Sequence, residues 1–182
     1  MTPQMEISEH ELAILNFYRS SELHGGLILG EVARRSRDGE LASQLLTHAA
    51  EEVVHARLWN DAIIAVGGVV RPVKETYQTR FAAALGAPTS ILRVLVLTQV
   101  FERRVHRHFL EHYRRPGTHP FVRATLRRMI DDEQGHLSWV KNWLDEQTGR
   151  RMEVRALLRS YAELDASIYR AFTIELGWSK AA

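Results

Sequence analysis

The sequence predicts an all-α fold, a four-helix bundle with a long crossover between helices two and three and an additional C-terminal helix. Three observations predict it. Apolar residues recur at helical spacing in five segments, caps and helix breakers separate these segments, and an acidic–histidine motif occurs twice at matching intervals. We expect one domain over residues 1–182, with the bundle at about 8–148 and the C-terminal helix at about 152–176.

The first two predicted helices follow each other almost directly, so they must be antiparallel. Ser8-Glu9-His10-Glu11 fits a capping box, and helix one runs from Ser8 to about Arg37. Asp38-Gly39 marks a turn and an N-cap, and helix two ends at Gly67-Gly68. Their inward residues recur at helical spacing: Leu15, Tyr18, Glu22, Gly25, Leu29 and Val32, then Leu41, Leu45, His48, Glu52, His55, Trp59 and Ile63.

Residues 67–88 form a connection long enough to run the length of a bundle. An extended segment of this size reaches roughly 70 Å, whereas a helix of about 29 residues is roughly 44 Å long. A plain loop of this length is unusual, so we read it as a crossover with a short helix around Tyr77–Leu85.

Two more helices complete the predicted bundle and a fifth follows it. Helix three opens at Thr89 and closes before Pro116-Gly117, and helix four has Pro120 in its first turn. The fifth helix is expected to pack across the bundle or against a second subunit. The inward residues of helices three and four are Leu92, Leu95, Gln99, Glu102, Val105, His106 and Phe109, then Leu126, Met129, Glu133, His136, Leu137, Val140 and Leu144.

Two Glu-x-x-His motifs are the chemically informative feature of the sequence. Glu52 and His55 form the first, and Glu133 and His136 form the second. On a helix, residues three apart leave the same face one turn apart, so each pair can bind one ligand together. One such pair is weak evidence of a site, because the spacing arises often by chance. Its repetition carries more weight.

A lone glutamate precedes each motif at nearly the same interval. Glu22 lies 30 residues before Glu52, and Glu102 lies 31 residues before Glu133. All four fall near the midpoints of their predicted helices, which share one level in an antiparallel bundle with flush ends. Four buried carboxylates without cations would repel one another and protonate. The sequence therefore predicts a dinuclear metal site with six ligands: Glu22, Glu52, His55, Glu102, Glu133 and His136.

These residues resemble the ferritin-like superfamily of di-iron carboxylate proteins, over roughly residues 8–148. That group includes rubrerythrins, bacterioferritins, aldehyde-deformylating oxygenase, the tRNA-modifying hydroxylase and bacterial multicomponent monooxygenases. The resemblance implies one metal held by the first glutamate and first motif, a second metal held by the other three ligands, and Glu52 and Glu133 bridging. It also makes the six ligands the catalytic residues.

Asp132 and Glu51 are candidates to support the two ligand histidines. Asp132 with the second motif is similar to the Asp-Glu-x-x-His form of the monooxygenases. Each acid lies four residues before a histidine ligand, where it could accept a hydrogen bond from the imidazole N–H that faces away from the metal.

The ligand chemistry suits iron or manganese, because carboxylates and imidazoles are present and the sequence contains no cysteine. We expect two iron ions. The resemblance implies an oxidoreductase that reacts with dioxygen or peroxide, and our first hypothesis is a soluble oxygenase or oxidase of a small organic substrate with a separate electron donor. The alternatives are a rubrerythrin-like peroxidase, ferritin-like iron oxidation and storage, manganese catalase chemistry, and a bundle with structural metal.

Some residues depart from particular members of the group. Rubrerythrins usually carry another glutamate where Val105 stands, and they commonly append a cysteine-rich module that this sequence lacks. Bacterioferritin would have a haem-binding methionine at the position of Val53. The fifth segment is also long for a subunit of a ferritin shell. These departures disfavour the peroxidase and storage hypotheses.

Binding of nucleic acid, as in the tRNA-modifying hydroxylase, is a further alternative. Phosphate contacts by arginines would carry it. With 24 Lys plus Arg against 22 Asp plus Glu the chain is only weakly basic, and a solvated arginine face is the favoured interpretation. The arginines concerned are Arg103, Arg104, Arg107, Arg114, Arg115, Arg123, Arg127 and Arg128.

The N-terminal residues Met1–Glu6 lack the pattern of a signal peptide, and no apolar run approaches the ~20 residues that span a bilayer. We expect a cytoplasmic protein without a membrane partner, and a homodimer is open.

The remaining histidines and one glycine pair have structural interpretations. His48, one turn before Glu52, could support a ligand of the site, but a core or boundary histidine is the favoured interpretation. His106 is the main rival of His136 as a ligand. Gly25-Gly26 indicates close helix packing or space beside the metals. The histidines assigned to the surface or boundary are His24, His108, His112 and His119.

Overall fold

The computed structural model describes residues 6–178, and these residues are helical without any strand. The all-α prediction is confirmed. No helix in this range is both long and apolar enough to cross a bilayer. The signal-peptide prediction rests largely on residues 1–5, which lie outside the described range. The helices are α1 (Glu9–Arg35), α2 (Gly39–Ala65), α3 (Tyr77–Leu85), α4 (Ile91–Arg114), α5 (Pro120–Glu146) and α6 (Arg151–Glu175), with a 3₁₀ turn at Thr148–Arg150.

Side-chain caps start three of the helices, two of them where the sequence predicted a start and the third two residues later. The Ser8 hydroxyl accepts a hydrogen bond from the Glu11 N–H at 3.1 Å, as half of the predicted capping box. One Asp38 carboxylate oxygen accepts from the first backbone N–H groups of α2. Ser90 caps α4 through the Arg93 N–H at 3.3 Å, so α4 begins two residues after the predicted Thr89.

The described chain divides into two compact units. The first contains the described residues up to Arg80 together with Pro116–Thr125, and the second contains Phe81–Arg115 and the described residues from Leu126 onward. Helices α1 and α2 lie wholly in the first unit, and α4 and α6 lie wholly in the second. A single domain over residues 1–182 stays a prediction.

In the first unit, α1 and α2 pack along their apolar stripes. Leu15, Leu45 and Trp59 are fully buried, and the Tyr18 and Trp59 rings lie 4.9 Å apart between centroids. These aromatic and leucine side chains supply the largest apolar area of the pair, and each is worth about 1.5–3 kcal/mol when fully buried. The predicted inward stripes of both helices are therefore the packed faces.

The segment after α2 runs beside α1 within the same unit. The Asn16 side chain accepts from the Arg71 N–H at 2.6 Å and donates to the Val69 carbonyl at 3.2 Å. Further along α1, the Ser21 carbonyl accepts from the Gln78 side-chain amide at 2.9 Å. The two Asn16 bonds satisfy backbone groups of an irregular segment, which must otherwise remain exposed to water.

Close packing of α1 against α2 depends on Gly26. A Cβ atom at this position would lie 2.9 Å from the Ala49 carbonyl oxygen and 3.0 Å from Val53 Cγ2. The first contact is with backbone, which cannot rotate away as a side chain can. The close-packing interpretation is therefore correct for Gly26.

In the second unit, α6 packs against α4. Arg104 forms an ion pair with Asp165, donating from Nε at 2.8 Å and also from Nη2, and its guanidinium lies 4.1 Å from the Tyr169 ring centroid. Asp165 is buried, so the arginine neutralises a carboxylate that would otherwise be costly to bury. The fifth predicted helix is α6, and it packs against α4 of its own chain. Packing across a bundle or against a second subunit stays a prediction.

The Gly26→Ala variant should lower the free energy of unfolding by about 1–3 kcal/mol, because the added methyl overpacks the contact of α1 with α2. Gly30→Ala is the matched control, since its nearest neighbour would be Ala49 Cβ at an ordinary 4.0 Å. The control should gain up to about 1 kcal/mol from helix propensity. Urea denaturation followed by far-UV circular dichroism measures both, and equal stabilities would contradict the close contact.

Candidate metal centre

The first unit brings Glu22, His48, Glu52 and His55 together. Glu22 comes from the middle of α1, and the other three share one face of α2 at positions i−4, i and i+3. All four are buried. Glu22 Oε2 and Glu52 Oε1 lie 3.7 and 3.9 Å from His55 Nδ1, and His48 Nε2 lies 3.3 Å from the same Glu52 Oε1.

The spacing of these atoms fits a shared cation. Hydrogen bonds between nitrogen and oxygen are typically about 2.7–3.2 Å long, and the three separations exceed this range. Two atoms that are each roughly 2.1 Å from one metal ion can be up to about 4.2 Å apart. Carboxylate oxygens and imidazole nitrogens at these distances therefore suit a divalent ion held by N and O ligands.

The second unit contains Glu102 on α4 with Glu133 and His136 on α5. All three are buried, and Glu133 is 0% exposed. His136 Nδ1 lies 3.2 Å from Glu133 Oε2, and ligand atoms of Glu102 and His136 lie within 4.8 Å of each other. The second Glu-x-x-His pair and its upstream glutamate are thus buried within one unit, as the first set is in the other.

The structure therefore contains buried groups of histidine and glutamate that could hold a metal ion. Each of the six predicted ligands is buried, and each half of the set is found within its own unit. The members of these groups are His48, Glu52 and His55 in the first unit and Glu102, Glu133 and His136 in the second, and Glu22 lies against His55.

The four glutamates occupy the centres of their helices. Glu22 is the central residue of Glu9–Arg35 and Glu52 that of Gly39–Ala65. In the other unit, Glu133 is the central residue of Pro120–Glu146, and Glu102 is one of the two central residues of Ile91–Arg114. A carboxylate there cannot reach water at a helix end, so each needs a compensating charge or hydrogen bonds.

Gly25 leaves room for the Glu52 carboxylate. A Cβ atom on Gly25 would lie 3.1 Å from Glu52 Oε2 and 3.5 Å from the Gln78 side-chain nitrogen. The two adjacent glycines of α1 therefore act differently, because Gly26 admits the backbone of α2 and Gly25 admits a candidate ligand.

The supporting roles of Asp132 and Glu51 stay predictions. Both residues are exposed. Asp132 Oδ2 lies 3.6 Å from Arg128 Nε, so the aspartate has an ion pair on the outer face of α5. His106, the rival ligand on α4, is half-buried.

The assignment of His108, His112 and His119 to the surface or boundary was wrong, because all three are buried. The residues of α6 and the segment after it cover the first two. The His108 ring lies 4.5 Å from Trp178 and the His112 ring 4.9 Å from it, and His108 Nδ1 is 2.7 Å from the Tyr169 hydroxyl. His24, by contrast, is half-buried as predicted.

His119 is buried in the first unit for a local reason. Its Nδ1 accepts a hydrogen bond from the Phe121 N–H at 3.3 Å, and the two rings stack at 5.8 Å between centroids. The histidine thereby caps the start of α5 beside Pro120. A histidine before a helix-starting proline was the signal that could have indicated this.

The arginines of α4 do not form one uniform basic face. A cleft of about 240 Å³ between α4 and α6 is lined by Arg103, Arg104 and Arg107, with Asp165 opposite and apolar side chains of α6 beside them. Because Arg104 is paired with the buried Asp165, its charge is already compensated. The pairing weakens the hypothesis of a long phosphate-binding surface, which counted Arg104 among its residues.

Stability of the metal-free protein should fall as the pH falls from about 6.5 towards 3. Burial lowers the pKa of His108 from 6.5 to about 3, with smaller contributions from His112, Arg104 and Arg115. In this window the unfolded chain binds a proton at His108 that the folded chain excludes, so the stability contributed by the neutral imidazole is present above pH 6.5 and is lost on acidification.

Between pH 7 and 4.5, the His108→Phe variant should therefore lose less free energy of unfolding than the wild-type protein. The difference should be about 2 kcal/mol, because each pH unit below the unfolded pKa is worth about 1.4 kcal/mol. Urea denaturation at both pH values measures it. His10→Phe, at an exposed position, is the control and should keep the wild-type slope. Parallel curves for all three proteins would show that His108 accepts a proton without unfolding.

Comparison with known proteins gives no match, neither to a protein-family model nor to a curated protein nor to a solved structure. The case for a metal centre therefore rests on the burial, spacing and chemistry of this chain's own residues.

Proposed function

We propose that the two buried groups form one dinuclear metal centre, and that the protein is a di-iron oxidoreductase that activates dioxygen to oxidise a small organic substrate. The observation that carries the proposal is the central position of all four glutamates in helices of 24 to 27 residues. Four such helices side by side in a ferritin-like bundle, with the 67–88 segment as crossover, would bring the four carboxylates to one level.

Charge balance supports a pair of divalent ions. Four carboxylates carry four negative charges, and two divalent cations compensate them without protonation of any ligand. The similarity of the two halves also supports a pair of ions, because each half contains an upstream glutamate and a Glu-x-x-His pair. In this proposal each half would hold the ions through its upstream glutamate and through the glutamate and histidine of its motif.

The ligand types favour iron, with manganese as the nearest competitor. Oxygen and imidazole ligands without thiolates suit both ions, whereas a structural zinc site usually contains cysteine. When bound, a pair of redox-active ions would supply electrons for the reduction of dioxygen or peroxide. An external donor would restore those electrons.

The chain's own residues would hold the ions and keep bulk water away. Trp59 lies one turn after His55, Met129 lies one turn before Glu133, and both are fully buried apolar side chains. Apolar walls of this kind strengthen the electrostatic hold of the carboxylates and protect a reactive centre from water. Because Gly25 has no side chain, the Glu52 carboxylate can occupy its place, since a Cβ atom there would lie 3.1 Å from Oε2.

Loss of His136 should remove metal, and loss of His106 should not. The wild-type chain, loaded anaerobically with ferrous iron and freed of excess, is expected to retain two iron ions. His136→Ala should lower this content to one or less, while the half-buried His106→Ala should keep two. Metal analysis by plasma mass spectrometry measures both, and equal losses would mean that the ligand faces of α4 and α5 are misassigned.

Reaction with dioxygen tests the redox role separately from binding. The iron-loaded protein should consume dioxygen and convert its ferrous iron to an oxidised pair, whereas the Glu133→Ala variant should not. Iron that stays ferrous in air would show that the metal has only a structural role. Continued uptake well beyond two ions per chain would instead favour iron oxidation and storage.

A further inference from the structure

We propose that His48 is a seventh ligand, so that the two halves of the centre are chemically unequal. One ion would be held by Glu22, His48, Glu52 and His55, and the other by the three ligands of the second unit. The inference rests on the proposed dinuclear centre and adds a residue that the pattern of six ligands does not include.

The spacing on α2 supports this role. His48 and His55 lie four residues before and three residues after Glu52, so all three side chains leave one face of the helix. His48 Nε2 is 3.3 Å from Glu52 Oε1, closer than His55 Nδ1 at 3.9 Å from the same oxygen. Two imidazole nitrogens thus approach one carboxylate oxygen from the two helical turns that flank it.

The burial of the His48 side chain indicates that this residue belongs to the site. Its side chain is 1% exposed, as deep as His55. Glu52 belongs to both of the buried groups that could hold a metal ion, with His48 in one of them and His55 in the other.

The second unit has no counterpart of this histidine. The residue four positions before Glu133 is Met129, which is fully buried and apolar. A thioether is a soft ligand and suits Cu(I) better than iron or manganese. The two Glu-x-x-His halves are therefore alike in three residues and differ at the fourth, where one has an imidazole and the other does not.

This difference has a chemical consequence. A half that supplies two carboxylates and two imidazoles offers one more protein ligand, and so leaves fewer open positions, than a half that supplies two carboxylates and one imidazole. We therefore expect the Glu22 half to fill first and the Glu102 half to keep the open positions for dioxygen or substrate. The two ions should bind with different affinities.

Proton NMR of the cobalt(II)-loaded protein tests the ligand count directly. Each imidazole bound to cobalt keeps one exchangeable N–H that is strongly shifted by the unpaired electrons. Three such signals are expected for wild type, from His48, His55 and His136. Nitrogen-15 placed only at histidine Nδ1 should split the His48 signal alone, because His48 faces the site with Nε2 and the other two with Nδ1.

His48→Gln should remove that one signal and leave two, and His106→Gln should leave all three. Cobalt titration should show two affinity classes in wild type, with the tighter one weakened at least about tenfold in His48→Gln. If His48→Gln does not fold, the count and splitting in wild type still decide the question.

The cobalt experiments distinguish a failure of the His48 proposal from a failure of the dinuclear-centre proposal. Cobalt binding with only two shifted signals, neither of them split by the label, would overturn the role of His48 and leave the dinuclear centre intact. In that case His48 would only hydrogen-bond to Glu52. A protein that binds no cobalt and shows no shifted signal would overturn the dinuclear centre itself.

Discussion

The burial of carboxylates at helix centres is the constraint on which the rest of this structure depends. Removing a single carboxylate from water costs several kcal/mol unless a partner compensates it. This chain does so at Glu22, Glu52, Glu102 and Glu133, each at the middle of a long helix. A fold that only needed stability would place leucine at such positions. These glutamates instead require compensating partners, and the buried groups of histidine and glutamate could hold a metal ion.

Neighbouring features are arranged around that constraint. Gly25 clears the space that the Glu52 carboxylate occupies, and Gly26 brings α1 close enough to α2 for Glu22 to approach His55. The segment that follows α2 is fastened to α1 by side-chain bonds to its backbone, including two from Asn16. Small residues, a fixed connection and capped helices together hold the candidate ligand atoms in place.

The helices and the burial of the six candidate ligands could be predicted from sequence, because both depend on local patterns. Caps such as Ser8 and Asp38 and the 3.6-residue repeat fix where helices start and which face is buried. The covering of His108 could not be predicted, because it depends on the packing of α6 against α4, a contact between distant parts of the chain. His48 lies on the predicted inward face, where its spacing from Glu52 allowed a supporting role but favoured a core or boundary histidine. Two statements stay proposals: that the two halves form one dinuclear metal centre, and that the helices form a ferritin-like bundle.

The central claim is that the two halves share one pair of metal ions. Iron K-edge X-ray absorption of the anaerobically loaded protein tests it most directly, because it measures the neighbours of each iron. The account predicts oxygen and nitrogen ligands, no sulfur, and a second iron within about 4 Å, the separation typical of two-metal sites. A spectrum without an iron neighbour, at any iron content, would contradict it.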